Sequence, residues 1–430
     1  MTRLLRFPRL LCLVAVLALA TAAPAAAHNV TAGADLRIAQ TIAGTELTVV
    51  IKGTSRVPGP LRIGVVAYEP VTPLRIGLQV RSVEDGRTVT GTAQAAPRDP
   101  PYEELPVTRT GPHELTLRAG DEVAVIPFRV LVERGSAGDF LIYGGLFLAG
   151  TLLVGGVLTG AVARPGSAML LAGGAAAGVT VAAMVVVFES SLPPPPPDGA
   201  APTAATPVGG RPFAQGKVAT VPDRPAEGEE FTLRLDLVDG STGRPVDDLA
   251  VHHEAIAHVV VTSEDGRYFR HVHPLRTAPG RLEVRLRADR PGRYFAHAEV
   301  ERQDSGGQLL TGAFTVHPAG DPAGESLQAA AAAPRLRPAA PVAGRPATIE
   351  LDAPGDVRPW LGMTGHLLVR SQDGAFMGHV HEMGTPGSLL RFTFSFPEPG
   401  RYLAWAQYAT ADRIVTAPFT VDVAAAGSAR

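Results

Sequence analysis

Six of the chain's twelve histidines form two triplets of identical spacing: His258, His271 and His273, then His366, His379 and His381. Between the first two members of each triplet the chain runs apolar, polar, apolar, with turns Ser263-Glu264-Asp265-Gly266 and Ser371-Gln372-Asp373-Gly374. An Asp-Gly step between apolar runs signals a β-hairpin. With Glu264-Asp265 as a two-residue loop, His258 stands opposite His271; with Asp265-Gly266 as the loop it stands opposite His273, and the second triplet follows the same rule. Either register keeps all three imidazoles on one face, because a shift by two preserves the alternation of side chains. A three-residue loop would break that parity. Opposed Cβ atoms about 5 Å apart let three imidazoles converge on one ion, with ligand bonds near 2 Å. The competing expectation is that these are packed, hydrogen-bonded histidines with a structural role.

The metal is chosen by ligand softness. Cys12 is the only cysteine and lies in a leader, so thiolate is unavailable to the mature chain. The second triplet instead sits among Met363, Met377 and Met383, three of six methionines. On a strand, Met377, His379, His381 and Met383 share a face. Thioether beside imidazole favours copper, above all Cu(I), with zinc or nickel as alternatives. Met377 also aligns with Phe269, so a core-filling role competes. The first unit adds His252, His253 and Glu254 where the second has Trp360, Leu361 and Gly362, and His297 aligns with Trp405. His253 is thus a further ligand candidate.

These residues sit in a duplicated module. "HVVVTSEDGRYFRHVHP" from His258 matches "HLLVRSQDGAFMGHVHE" from His366, and "PGRYFAHAEV" from Pro291 matches "PGRYLAWAQY" from Pro399, all at an offset of 108 residues. Short strands punctuated by Gly, Pro and Asp predict immunoglobulin-like β-sandwiches over 212–317 and 342–424, joined by an Ala/Pro linker at 318–341. A third sandwich is expected over 28–134, and 189–211 is a Pro-rich stalk. The fold class is mainly β, with three sandwiches and one transmembrane helical hairpin. That hairpin is predicted from apolar, uncharged runs at 140–163 and 168–188, each about the 20 residues a bilayer requires, with 164–167 as the turn. Gly156 with Gly160 and Gly174 with Gly178 supply small-residue contacts. Residues 1–27 read as a signal peptide ending at Ala25-Ala26-Ala27. Cleavage there makes His28 the first residue, whose amine and imidazole together can chelate Cu(II). An even number of spans then places the protein in the cytoplasmic membrane with both large regions extracytoplasmic.

Net charge is −2 and the chain has two lysines, Lys52 and Lys217, which argues against nucleic-acid binding. No nucleophile motif, phosphate loop or carboxylate pair is present, so the expectation is not an enzyme. The spans carry no ionisable residue and serve as an anchor.

"HHEAIAHVVVTSEDGRYFRHVHP" resembles the "HE…H…FxHxHP" signature of YtkA-like bacterial envelope modules, at His253, Glu254, His258, Phe269, His271, His273 and Pro274. "PWLGMTGHLLVRSQDGAFMGHVHE" resembles a related version, with Glu382 where proline is expected. The start at His28 is similar to that of CopC-like periplasmic copper carriers. The resemblance implies immunoglobulin-like modules that handle heavy metals, chiefly copper, in the cell envelope. The expected function is copper sequestration or delivery by a membrane-anchored protein. One alternative is a non-metal envelope scaffold that binds an envelope-protein partner. Another is a copper-dependent redox protein centred on His28.

Overall fold

The computed structural model describes residues 29–68, 74–188, 191, 195–201, 213–303, 305–319, 333–382, 384 and 387–427. The leader, His28, Met383, most of the stalk and most of the linker lie outside the described residues. The fold is mainly β, in sandwiches, with two long apolar helices. The chain divides into two units: 131–203, with the helices, and a second unit containing 25–130 and 204–430.

In the first unit the helices are Ala137–Leu158 and Pro165–Phe188. Ser136 and Asp139 form a reciprocal capping box that starts the first helix. Both helices are long and apolar enough to cross a membrane. The turn differs from expectation: the first helix ends at Leu158, not near 163, because Gly160 takes a left-handed φ of 66°. Pro165 occupies the first position of the second helix, where its missing N–H costs nothing. Gly160 therefore lies outside the helical contact. Gly145 takes that place against Gly178, where an added Cβ would fall 2.5 Å from the Gly178 carbonyl oxygen.

In the second unit, residues 29–130 form a sandwich. Leu36–Ile42, Thr45–Lys52, Gly59–Ala67 and Glu103–Val107 make one side. Arg75–Ser82, Thr88–Ala96, Gly111–Ala119 and Glu122–Val130 make the other, and Gly59–Ala67 joins the two by parallel pairing with Thr88–Ala96. Alternating Ile38, Val49, Ile63, Leu78, Leu115 and Ile126 fill its core.

Each repeat is a two-sheet sandwich. In repeat 1 one sheet runs Phe269–Val272, Ala257–Ser263, Gly292–Arg302, Gly306–Val316 in spatial order; in repeat 2 the equivalent order is Met377–Glu382, Gly365–Ser371, Gly400–Ala409, Ile414–Val423. Val259, Val261, Ala296 and Ala298 point into the core of repeat 1, as Leu367, Val369, Ala404 and Ala406 do in repeat 2. The opposite faces of these two sheets are covered over Ala257–Ser263 and Gly365–Ser371 and their hairpin partners, while the outward positions of the last strands, such as Leu309 and Pro418, remain exposed. The covered parts pack on each other through Val260, Phe269, Leu368, Met377, Trp405 and Leu403. Every residue of Ala257–Ser263 is consequently buried.

A buried arginine locks the two repeats. Arg370 is 0% exposed, and its guanidinium donates to Thr262 Oγ1, the Ser263 carbonyl (2.9 Å) and the Glu264 carbonyl (2.8 Å) while lying over the Phe295 ring. Thr262 is its own counterpart at the 108-residue offset. Arg370→Leu removes the donors to the buried Thr262 Oγ1 and to two turn carbonyls, of which that of Ser263 also accepts the Gly266 N–H, and should lower the urea-unfolding stability of the full chain by about 2 kcal/mol. An unchanged midpoint would show that water replaces these bonds.

Candidate metal centre

The hairpins take the second of the two expected registers. His366 pairs with His381, and Val260 with His271, which sets His258 opposite His273. The turns are longer than two residues: the Ser263 and Ser371 N–H groups close onto the Tyr268 and Phe376 carbonyls, leaving four-residue loops. An even loop preserves the parity, so the three imidazoles of each repeat share the outer face. Gly266 and Gly374 supply the left-handed φ these loops require, at 71° and 78°.

Because the two outer faces pack together, the triplets form one cluster and not two independent sites. His258 lies 5.4 Å from His379, His271 5.8 Å from His366 and His271 5.2 Å from His379, ring centre to ring centre. The contacts obey a local two-fold relation that exchanges the repeats. His258 Nε2–H donates to the His252 carbonyl (3.0 Å), as His366 Nε2–H does to the Trp360 carbonyl (3.1 Å). His271 Nδ1–H donates to Gln407 Oε1 (3.0 Å), as His379 Nδ1–H does to Glu299 Oε2 (2.9 Å). Glu299 and Gln407 are the direct cross-strand neighbours of His258 and His366.

These outer partners fix the tautomers. A carbonyl oxygen can only accept, so the outer nitrogen of His258 and of His366 carries the proton and the inner Nδ1 carries a lone pair. Gln407 is oriented by its own donation to Thr416 Oγ1, which leaves its oxygen to His271. The inner nitrogens then face one another: His258 Nδ1 and His271 Nε2 at 3.3 Å, His366 Nδ1 and His379 Nε2 at 3.2 Å, His258 Nδ1 and His273 Nε2 at 3.1 Å. Ligand nitrogens around a tetrahedral ion with bonds of 2.0–2.1 Å lie about 3.3 Å apart. Two three-nitrogen sets have all their ligand atoms within 4.8 Å of one another: His258, His271 and His379, and His366, His379 and His381.

Burial, reinforced by neighbouring imidazoles, drives His258, His271, His366 and His379 well below the ordinary histidine value. Burial brings His381 and His253 down to about 4. These six imidazoles are therefore neutral at pH 7, which is the state a metal requires.

The N-terminal sandwich closes one end. His273 Nδ1–H donates to the buried carboxylate of Glu46, the His273 N–H donates to Thr41 Oγ1 (2.8 Å), and Arg37 pairs with Glu254 at 2.6 Å. At the other end His381 Nε2 is buried without a partner, and the His253 ring lies 4.1 Å from the His381 ring. His253 and Glu254 hold left-handed φ values of 46° and 60°, a costly conformation for either residue.

Of the other expected ligands, Met377 belongs to the apolar contact between the repeats, beside Phe269 and Trp405. Met363 closes a turn by backbone bonds with Trp360. His28 and Met383 lie outside the described residues. Glu46, Glu299 and Gln407 were not anticipated. The register of Glu299 with His258 follows from extending the hairpin pairing to the next strand, whereas Glu46 is 227 residues from His273 and carries no local signal.

Residues 214–320 and 335–425 match the model of a domain of unknown function, DUF8832, which coincides with the two repeats. No curated protein matches the chain. Among solved structures, the chicken CNTN1 FN1–FN3 domains align over 87% of this chain and 97% of theirs, at 8% identity and a TM-score of 0.16. A carbohydrate-binding module of the β-sandwich superfamily aligns over 49% of this chain and 95% of its own, at 14% identity and a TM-score of 0.18. Scores this low describe no shared global shape.

The depressed histidines make stability depend on pH. Below the ordinary value of 6.5 the unfolded chain binds protons that folded His253 and His381 refuse down to about 4. Stability is thus complete above pH 6.5 and falls as pH drops toward 4. The thermal midpoint of the metal-free full chain should be lower at pH 5 than at pH 7.5, and His381→Asn should narrow the difference. Equal midpoints at the two pH values would contradict the burial of neutral imidazoles.

Proposed function

We propose that this chain is a membrane-anchored β-sandwich scaffold of the cell envelope that holds one metal ion between its two repeats. The observation that carries the metal is the facing of inner lone pairs at 3.1–3.3 Å, which a cation relieves and an empty neutral cluster does not. Imidazole ligands suit copper, zinc and nickel. Copper, as Cu(I), is favoured because Met377 borders the cluster and because the repeats resemble YtkA-like modules. Sequestration or delivery of the ion is the corresponding role, and no catalytic step is assigned.

One ion per chain is expected, not one per repeat. Both three-nitrogen sets contain His379, and with Nδ1 committed to Glu299 only its Nε2 remains to bind. A single nitrogen serves one ion. The anchoring role is supported by the two apolar helices. An even number of spans would return the chain to the side from which it entered. The extracytoplasmic side is the proposed one.

The fold and the helix pair by themselves equally support a scaffold that binds another envelope protein and no metal, with the histidines cementing the repeats. Metal analysis of the full chain in detergent separates the readings, after loading with Cu(I) under anaerobic conditions or with Zn(II). About one retained ion, lost at least tenfold in His379→Asn and kept in the remote His113→Asn, is the expected result. A folded wild-type chain that retains neither metal leaves the scaffold reading alone.

A further inference from the structure

The local two-fold relation fails at one pair of positions that lie beside the histidine cluster. On one side of the interface Phe269 stacks on Trp405, ring centres 4.8 Å apart. The positions related to them by exchange of the repeats are Met377 and His297. An aromatic stack in one half is thus a thioether and an imidazole in the other.

His297 is 1% exposed, and its Nε2–H donates to the Gly374 carbonyl at 2.9 Å. Since a carbonyl only accepts, Nδ1 of the neutral ring carries a lone pair, and that atom is buried without a partner. His297 and Met377 both line a cavity of about 260 Å³, together with His258, His379 and Glu299. The related side also has a cavity, of about 650 Å³, lined by Phe269, His271 and Gln407. There Phe269 stands where the sulfur would be, and Trp405, the counterpart of His297, does not line the cavity. Each half therefore has an opening to the cluster, and only one opening carries a soft ligand pair.

We propose that His297 and Met377 form an outer binding station for a soft monovalent cation of the Cu(I) or Ag(I) class, through which the ion passes to the histidine cluster. One uncharged nitrogen and one thioether make a weak, low-coordinate site that prefers such ions to Zn(II), Mg²⁺ or Ca²⁺. His258 and His379 line the same cavity, which sets the station beside the cluster. The proposal deepens the metal-binding reading and rests on it for the direction of transfer, but the station itself binds by its own two ligands.

The test uses the full chain in detergent, labelled at the methionine methyl groups and titrated with Ag(I) or Zn(II). A second protein carries His271→Asn and His366→Asn, which removes one inner nitrogen from each triplet. The proposal expects the Met377 methyl resonance to shift with Ag(I) and not with Zn(II), in both proteins. It further expects Met377→Phe with His297→Trp, which rebuilds the stack of the other half, to slow Ag(I) loading of the cluster at least tenfold while leaving the amount bound unchanged. An unmoved Met377 methyl in both proteins overturns the station whether or not the cluster loads. So does unchanged loading in the rebuilt variant. A Met377 shift in a wild-type chain that retains no ion would instead overturn the histidine cluster as a storage site and leave the station standing.

Discussion

The arrangement depends on one constraint: the outer faces of two sheets are buried against each other. In an isolated sandwich, the face bearing His258, Val260 and Thr262 would meet water, and its histidines would be solvated and protonatable. Packed on the face of Leu368, Met377 and Trp405, the same residues lose water, and every buried polar atom needs a partner. The strands supply those partners from within, as backbone carbonyls at the cluster's margins and as Glu299 and Gln407 one strand away. Satisfying the outer nitrogens in this way leaves the inner nitrogens as facing lone pairs. The clustering of these nitrogens is thus a consequence of how the repeats dock.

Duplication explains the symmetry and divergence the departures from it. The hairpins, their loops and the outer partners of four histidines follow the exchange of repeats. Arg370 opposite Thr262, and the Met377–His297 pair opposite Phe269–Trp405, do not. Arg370 spans the interface by donating to hydroxyl and carbonyl oxygens, and burial depresses it to about 10. Its donors end on the carbonyls of the repeat 1 turn, which ties the position of one hairpin to the sheet of the other. The N-terminal sandwich adds a further asymmetry. Thr41 and Glu46 complete the His273 end, while the His381 end keeps a buried nitrogen without a partner.

How much was legible beforehand can be judged residue by residue. The triplets, their parity and the repeat were readable because a period of two and an offset of 108 residues are local, one-dimensional facts. The helical runs were readable for the same reason, although their turn was misplaced by the left-handed Gly160. The unbroken apolar runs Val259-Val260-Val261 and Leu367-Leu368-Val369 signalled burial on both faces, and that signal, read fully, would have predicted a covered histidine face.

What the sequence alone determined is the set of ligand-capable side chains, the hairpins that align them and the module that repeats. Tertiary structure decided that the triplets merge, that His379 belongs to both nitrogen sets and that Glu46 orients His273. These contacts join residues from 80 to 227 positions apart. Hydrophobic burial drives such docking without specifying direction, so which faces meet is set by the complementarity of whole surfaces, which no local spacing records.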